Sequence, residues 1–293
     1  MKIAVLGGTG FVGSHIAKQL ADDSHSVRVI THRRQSPGKL PGVEFVSGAI
    51  TNEESLVSAF TGCSAVVHAV GIIVESGTST HDTVVVQGTA NVVSACRRVG
   101  VSLLVFVSAL GTSEKSQSRY HKAKHAAEQC VKNSGIPYVI FRPSVIYGKG
   151  DKFINLLVSM IRYMPVIPVV GNGKYLLQPI FVEDFAQMVS RSIATPSTHD
   201  RTYNAAGPDT LSFRDLLALI KKTIGKRRVN MYLPISAMRV FASVAEKLLS
   251  TPPITRDQLL MLNEGNSGNI EETVRIVGVH PRRMADVLPT YLR

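Results

Sequence analysis

Tyr120 and Lys124 lie four residues apart in "RYHKAKHAAEQ" (residues 119–129), a stretch with helical patterning. A step of four places both on one helical face, within reach of a common ligand. A phenol ordinarily titrates near ~10 and is a poor base at neutral pH, but a nearby ammonium favours its ionised form. The two residues read either as a proton-transfer pair or as solvated side chains that share a face. Spacing alone leaves both readings open. The remainder of the chain must show whether a redox cofactor site is built around them.

The strongest sign of such a site is "GGTGFVG" (7–13), which follows the apolar run "KIAVL" and leads into "FVGSHIAKQLAD". Gly7, Gly10 and Gly13, with Thr9, Phe11 and Val12 between them, form a glycine series at a strand–turn–helix junction. Glycine permits the tight turn and lets backbone approach a pyrophosphate at the positive end of a helix. The second strand ends in "VITHRR", giving Thr31, Arg33 and Arg34 and no acid. A carboxylate there would bind the ribose hydroxyl of NAD, whereas guanidinium forks suit a 2′-phosphate. NADP(H) is therefore the preferred cofactor, with NAD(H) as the second choice.

These residues need rigid elements to hold them. Up to about residue 150, short apolar runs alternate with amphipathic segments, the pattern of a parallel sheet covered on both faces. Right-handed crossovers then give a doubly wound α/β fold. Beyond that point the alternation fades into a smaller, mostly helical lobe. The expected division is a dinucleotide-binding domain over 1–150, with later segments returning to it, and a substrate or partner lobe over 151–293.

Composition narrows the class further. With 44% hydrophobic and 18% charged residues across 293 positions, the chain can bury a large core and is not disordered. No apolar run approaches the roughly 20 residues of a membrane span. The start reads as a buried strand and not as a signal peptide. Cys63, Cys96 and Cys130 show no metal or disulfide spacing. A cytoplasmic setting follows as the expectation, with peripheral membrane contact as an addition to it.

Together, "GGTGFVGSHI", "YHKAK", "FRPSVIYGKGD", "QPIFVEDFAQ" and "YNAAGPDTLSFRDLL" resemble the short-chain dehydrogenase/reductase superfamily. The likeness is greatest to its atypical extended branch, related to the NADPH-binding accessory subunit of respiratory complex I. The resemblance implies a Rossmann-type sheet, with Tyr120 as proton donor or acceptor and Lys124 on the nicotinamide ribose. It implies Ser108 as a third catalytic candidate. It extends the cofactor contacts to Ala49, Ile50, Ala69, Val70, Gly71, Pro143, Ser144 and Val145. The sequence departs from the pattern at Leu110, where a polarising Ser or Thr is usual, at Val85, and at Ala49, where an adenine-contacting aspartate is usual. Three functions follow from the resemblance: an oxidoreductase acting on a carbonyl or hydroxyl substrate, a non-catalytic NADPH-binding subunit or assembly factor, and a nucleotide-sugar epimerase or dehydratase.

The net charge of +12 favours anionic partners. Candidates are a phosphorylated cofactor, an anionic membrane surface or a respiratory complex. RNA ranks last because no basic, aromatic-rich motif occurs. His121 and His125 read as a solvated basic face and not as a metal pair, for want of a third ligand. Glu183 and Asp184 read as a helix cap and hinge contact. Met231, Met238 and Met261 read as core of the small lobe or lining of an apolar cleft. "ISAMRVFASVAEKLL" reads as an amphipathic helix that meets core, partner or lipid.

Overall fold

A computed structural model of the chain describes residues 1–32, 42–249, 252 and 254–292. The elements run β1 (Lys2–Leu6), α1 (Phe11–Asp22), β2 (Ser26–Thr31), β3 (Val43–Ser47), α2 (Glu53–Phe60), β4 (Ala65–His68), α3 (Gly88–Val99), β5 (Leu103–Val107), α4 (Arg119–Lys132) and β6 (Tyr138–Pro143). They continue through β7 (Ile146–Tyr147), α5 (Phe153–Tyr163), β8 (Val166–Val170), β9 (Leu176–Leu177), β10 (Ile180–Phe181), α6 (Val182–Ala194), β11 (Arg201–Ala205) and β12 (Leu211–Ser212). The last are α7 (Phe213–Thr223), β13 (Val229–Leu233), α8 (Ile235–Leu248), α9 (Arg256–Glu264), α10 (Glu271–Val277) and α11 (Met284–Tyr291).

Among the described residues, seven strands form one sheet in the order β11-β6-β5-β4-β1-β2-β3. Every pairing in it is parallel. The apolar runs at β1, β4 and β5 are buried almost without interruption because helices cover both faces. On one side, Ile16 and Leu20 of α1 join Phe185 and Val189 of α6. On the other, residues of α2, α3 and α4 pack together, with Leu56, Val92 and Ala127 at their contacts. The strand order reverses between β1 and β4, and such a switch point opens a crevice at the strands' C-terminal ends.

The chain returns to this sheet after residue 150. Helix α6 packs on its face, and β11 extends its edge beside β6. The smaller lobe has its own core of α5, α7, α11 and β8. It is more than helical, because β8–β13, β9–β12 and β7–β10 form short two-stranded pairs. Before α3 the chain adds a π-helical segment, His81–Gln87, that sequence patterning does not disclose. Reciprocal bonds between Thr80 and Thr83 fix its start, and Val84 and Val85 are buried.

Candidate functional site

The glycine series forms the floor of the crevice. Gly7 has φ of +79°, and a Cβ there would lie 2.9 Å from the Ala69 carbonyl oxygen. A Cβ on Gly13 would fall 2.1 Å from the Gly7 carbonyl oxygen, inside any allowed contact. The turn therefore exists only because both positions lack a side chain. Gly10 caps α1 without a side-chain bond, and no acid occupies the first helical turn. This end of α1 has the form and sign of an anion site. The residues present fit a dinucleotide pyrophosphate.

The other candidates border the same edge of the sheet. Thr31 ends β2 and is buried; Arg33 and Arg34 lie outside the described residues. Ala49 and Ile50 follow β3, where the Ala49 amide donates to Ser55 Oγ at 3.0 Å and the Ile50 carbonyl accepts from Asn91. Ala69, Val70 and Gly71 follow β4, with Ala69 and Val70 directly against Gly7. Pro143 closes β6; beyond it, Ser144 donates to the Asn266 carbonyl, and the Val145 carbonyl accepts from the Ile180 amide. Phe11 and Val12 turn inward from α1, and Phe11 packs against the small lobe.

Tyr120 and Lys124 are both buried, at 8% and 2% exposure. Ser118 caps α4 by accepting the His121 amide. Lys124 Nζ donates to the Val107 carbonyl at the end of β5 (2.8 Å) and lies 4.8 Å from the centre of the Phe106 ring. It also lies beside Gly71, where a Cβ would come within 3.2 Å of it. Burial lowers the Lys124 pKa to about 8, against an opposing pull from Glu128. Burial raises that of the Tyr120 phenol to about 12. Tyr120 is thus a protonated phenol at neutral pH. The rings of His81 and His121 flank it, each 5.7 Å away.

Glu128, one turn beyond Lys124, is fully buried but committed elsewhere. It accepts Arg142 Nε at 2.8 Å and Arg142 Nη2 at 2.6 Å, and it also accepts Ser108 Oγ at 2.6 Å. Ser108 is buried and turned toward this carboxylate, with Thr112 Oγ1 at 3.3 Å. Among the described residues, no carboxylate is within ion-pair distance of Lys124. A buried ammonium held only by a carbonyl and an aromatic ring is costly, which makes Lys124 a functional-site candidate.

Sequence patterning does not reveal the clamp over α4. Asp257, on α9, accepts Ser118 Oγ and the Arg119 amide, both at 2.7 Å. Glu264, seven residues on, accepts the Gln117 amide and lies 2.7 Å from His121 Nδ1. Their shared face on α9 is legible in the sequence; the helix they meet is not. His121 is consequently 1% exposed, which corrects its reading as a solvated face. Met231 is 48% exposed, which corrects its reading as core. Asp184 and Glu183 bind Arg282, joining α6 to the C-terminal segment. No group of three or more potential metal-ligating His, Cys, Asp or Glu residues occurs among the described residues. No described helix is long and apolar enough to cross a membrane.

Comparison with known proteins agrees with this geometry. The chain is 25% identical over 276 residues to NADH dehydrogenase [ubiquinone] 1 alpha subcomplex subunit 9, mitochondrial, of Arabidopsis thaliana, covering 90% of this chain and 68% of that protein. It is 30% identical over 196 residues to a ceramide reductase of Caulobacter vibrioides, covering 66% of this chain and 61% of the relative. Its fold matches that of a UDP-glucose 4-epimerase of Thermotoga maritima with a TM-score of 0.78 at 18% identity, covering 100% of this chain and 97% of the other. The family model for the NAD dependent epimerase/dehydratase family matches residues 3–206, the span that holds the glycine cradle, Tyr120 and Lys124. The chain belongs to the NAD-dependent epimerase/dehydratase family, with the Rossmann-type, oxidoreductase-like fold of the extended short-chain dehydrogenase/reductases.

Proposed function

We propose that this protein is an NADP(H)-dependent oxidoreductase acting on a small carbonyl or hydroxyl substrate. One observation carries the reading: Lys124, a buried cation without a carboxylate partner, sits at the C-terminal ends of β4 and β5, one turn from buried Tyr120. When bound, the nicotinamide cofactor supplies or accepts hydride. Gly7, Gly10 and Gly13 hold its pyrophosphate at the end of α1. Arg33 and Arg34 favour the 2′-phosphate, and Lys124 binds the nicotinamide ribose. Tyr120, a protonated phenol whose pKa burial raises further, donates a proton to the substrate oxygen in the reductive direction.

A second reading is a non-catalytic NADPH-binding subunit of a larger assembly. Ser108 favours it, because that hydroxyl is committed to Glu128, and Leu110 fills the usual polarising position. The relatives named as alpha subcomplex subunits of NADH dehydrogenase [ubiquinone] point the same way. Candidate partners are such an assembly or an anionic membrane surface.

Thermal shift with NADPH and NADH, alongside a carbonyl-substrate screen, tests both readings. NADPH should stabilise the wild type more than NADH does, and Arg33→Asp should remove that preference. Tyr120→Phe should keep the NADPH shift and lower turnover by about 10²–10⁴-fold. Lys124→Ala should lose both turnover and shift. Absence of turnover with an intact, Lys124-dependent shift selects the subunit reading. An NADPH shift unchanged in Lys124→Ala would defeat both.

A further inference from the structure

Helix α8 packs through its small residues and presents its large ones to solvent. Ala242 and Ala245 are its buried positions. Val240, Phe241, Val244 and Leu248 are 65%, 50%, 50% and 77% exposed. Steps of three and four place these four side chains on one stripe. Strand β13, immediately before α8, adds exposed Val229, Met231 and Tyr232. Large apolar side chains left in water along two consecutive elements mark a contact face.

The surrounding charge identifies what covers it. Between residues 221 and 247 there are seven Lys or Arg and one acid, Glu246, which is paired with Arg256 at 2.7 Å. Two of the cations have structural tasks: Lys221 donates to the Arg228 carbonyl and to Asn230, and Arg228 donates to the Ile161 and Arg162 carbonyls. Lys222, Lys226, Arg227, Arg239 and Lys247 remain exposed. A second copy of the chain seated on the same face would set this positive surplus against itself. An anionic lipid surface complements it, with the apolar stripe entering the headgroup boundary and the cations meeting phosphates.

From this juxtaposition we infer that the α8–β13 face docks on an anionic lipid bilayer surface. The inference goes beyond the oxidoreductase reading and does not use Tyr120 or Lys124. A cavity of about 250 Å³ lined by Val170, Tyr175, Ile235, Leu259 and Leu262 lies at the root of α8.

Co-sedimentation of the full chain with phosphatidylcholine vesicles, with and without phosphatidylglycerol, tests this. Binding should require the anionic lipid and should fall as salt is raised. Phe241→Ser combined with Leu248→Ser should weaken it by about tenfold or more. Replacing Lys226 and Arg227 by Gln should cost about fivefold for each cation removed. Far-UV circular dichroism and the melting midpoint check that the variants fold. Failure of the wild type to sediment with anionic vesicles at low ionic strength would overturn the inference. So would undiminished binding by folded Phe241→Ser/Leu248→Ser protein, or a dimer of the free chain that those substitutions dissociate. NADPH shift and turnover do not enter this readout, so either proposal can fail while the other stands.

Discussion

Helices α4 and α8 invert the usual rule in opposite directions. Helix α4 is the more polar, yet it buries His121, Lys124 and Glu128. Helix α8 is the more apolar, yet Ala242 and Ala245 are the positions it buries, and Phe241, Val244 and Leu248 face water. Each breach costs free energy, through desolvation on α4 and hydration of apolar surface on α8. On α4 much of the cost is offset internally: Arg142 and Ser108 satisfy Glu128, and Asp257 and Glu264 hold the first turn. Lys124 is the exception. On α8 no described element covers the stripe. What remains uncompensated on each helix is where a ligand is expected, a cofactor at Lys124 and a surface at Phe241.

Three measurements break or sharpen this contrast. The largest effect belongs to Arg142→Met, which leaves the fully buried Glu128 carboxylate without its guanidinium. Destabilisation of roughly 3–5 kcal/mol is expected in urea unfolding. Pairing it with Glu128→Leu should recover much of that loss, because the buried carboxylate is then removed together with its guanidinium. A small loss in the single variant would mean that α4 does not depend on this pair.

Lys124 gives an intermediate, pH-dependent effect. Its folded pKa is about 8, below the ordinary 10.5, so between those values the unfolded chain carries a proton that the folded chain has released. Stability from this group therefore rises with pH across that window, with a slope of at most about 1.4 kcal/mol per pH unit. Stability curves for wild type and Lys124→Met should diverge from pH 8 upward, the wild type gaining. Parallel curves would show that the ammonium is not desolvated.

The smallest effect lies on α8. Leu248→Ser should alter stability by less than about 0.5 kcal/mol, because that side chain is mostly hydrated in the folded state. A loss above about 1 kcal/mol would show that the stripe is covered within the chain itself, removing the contrast with α4.

Much of this was legible from local pattern. Gly7, Gly10 and Gly13 announce their turn because a Cβ at Gly7 or Gly13 would collide with backbone only a few residues away or on the adjacent strand. Alternating apolar strands and amphipathic helices, from "KIAVL" to "PYVIFRP", specify a covered parallel sheet through burial on both faces. Tyr120 and Lys124 were visible as a shared helical face. Their burial was not, since it depends on β5 and the end of β4 meeting α4. His121 shows the limit most clearly: "YHKAKH" reads as a basic solvated surface until Glu264, 143 residues away, closes over it.

The sequence by itself determined the α/β class, the cradle and the position of the Tyr–Lys pair, because these follow from contacts within a turn, a helix or one strand–helix junction. Tertiary structure decided which polar groups are desolvated and which apolar ones remain wet. Ser108, after β5, and Arg142, on β6, meet as donors at the Glu128 carboxylate only once the strands lie side by side under α4. Helix α8 kept its large side chains in solvent because its alanines, and not its phenylalanine, face the small lobe. Local spacing sets which residues share a face; only the packed chain sets what that face meets.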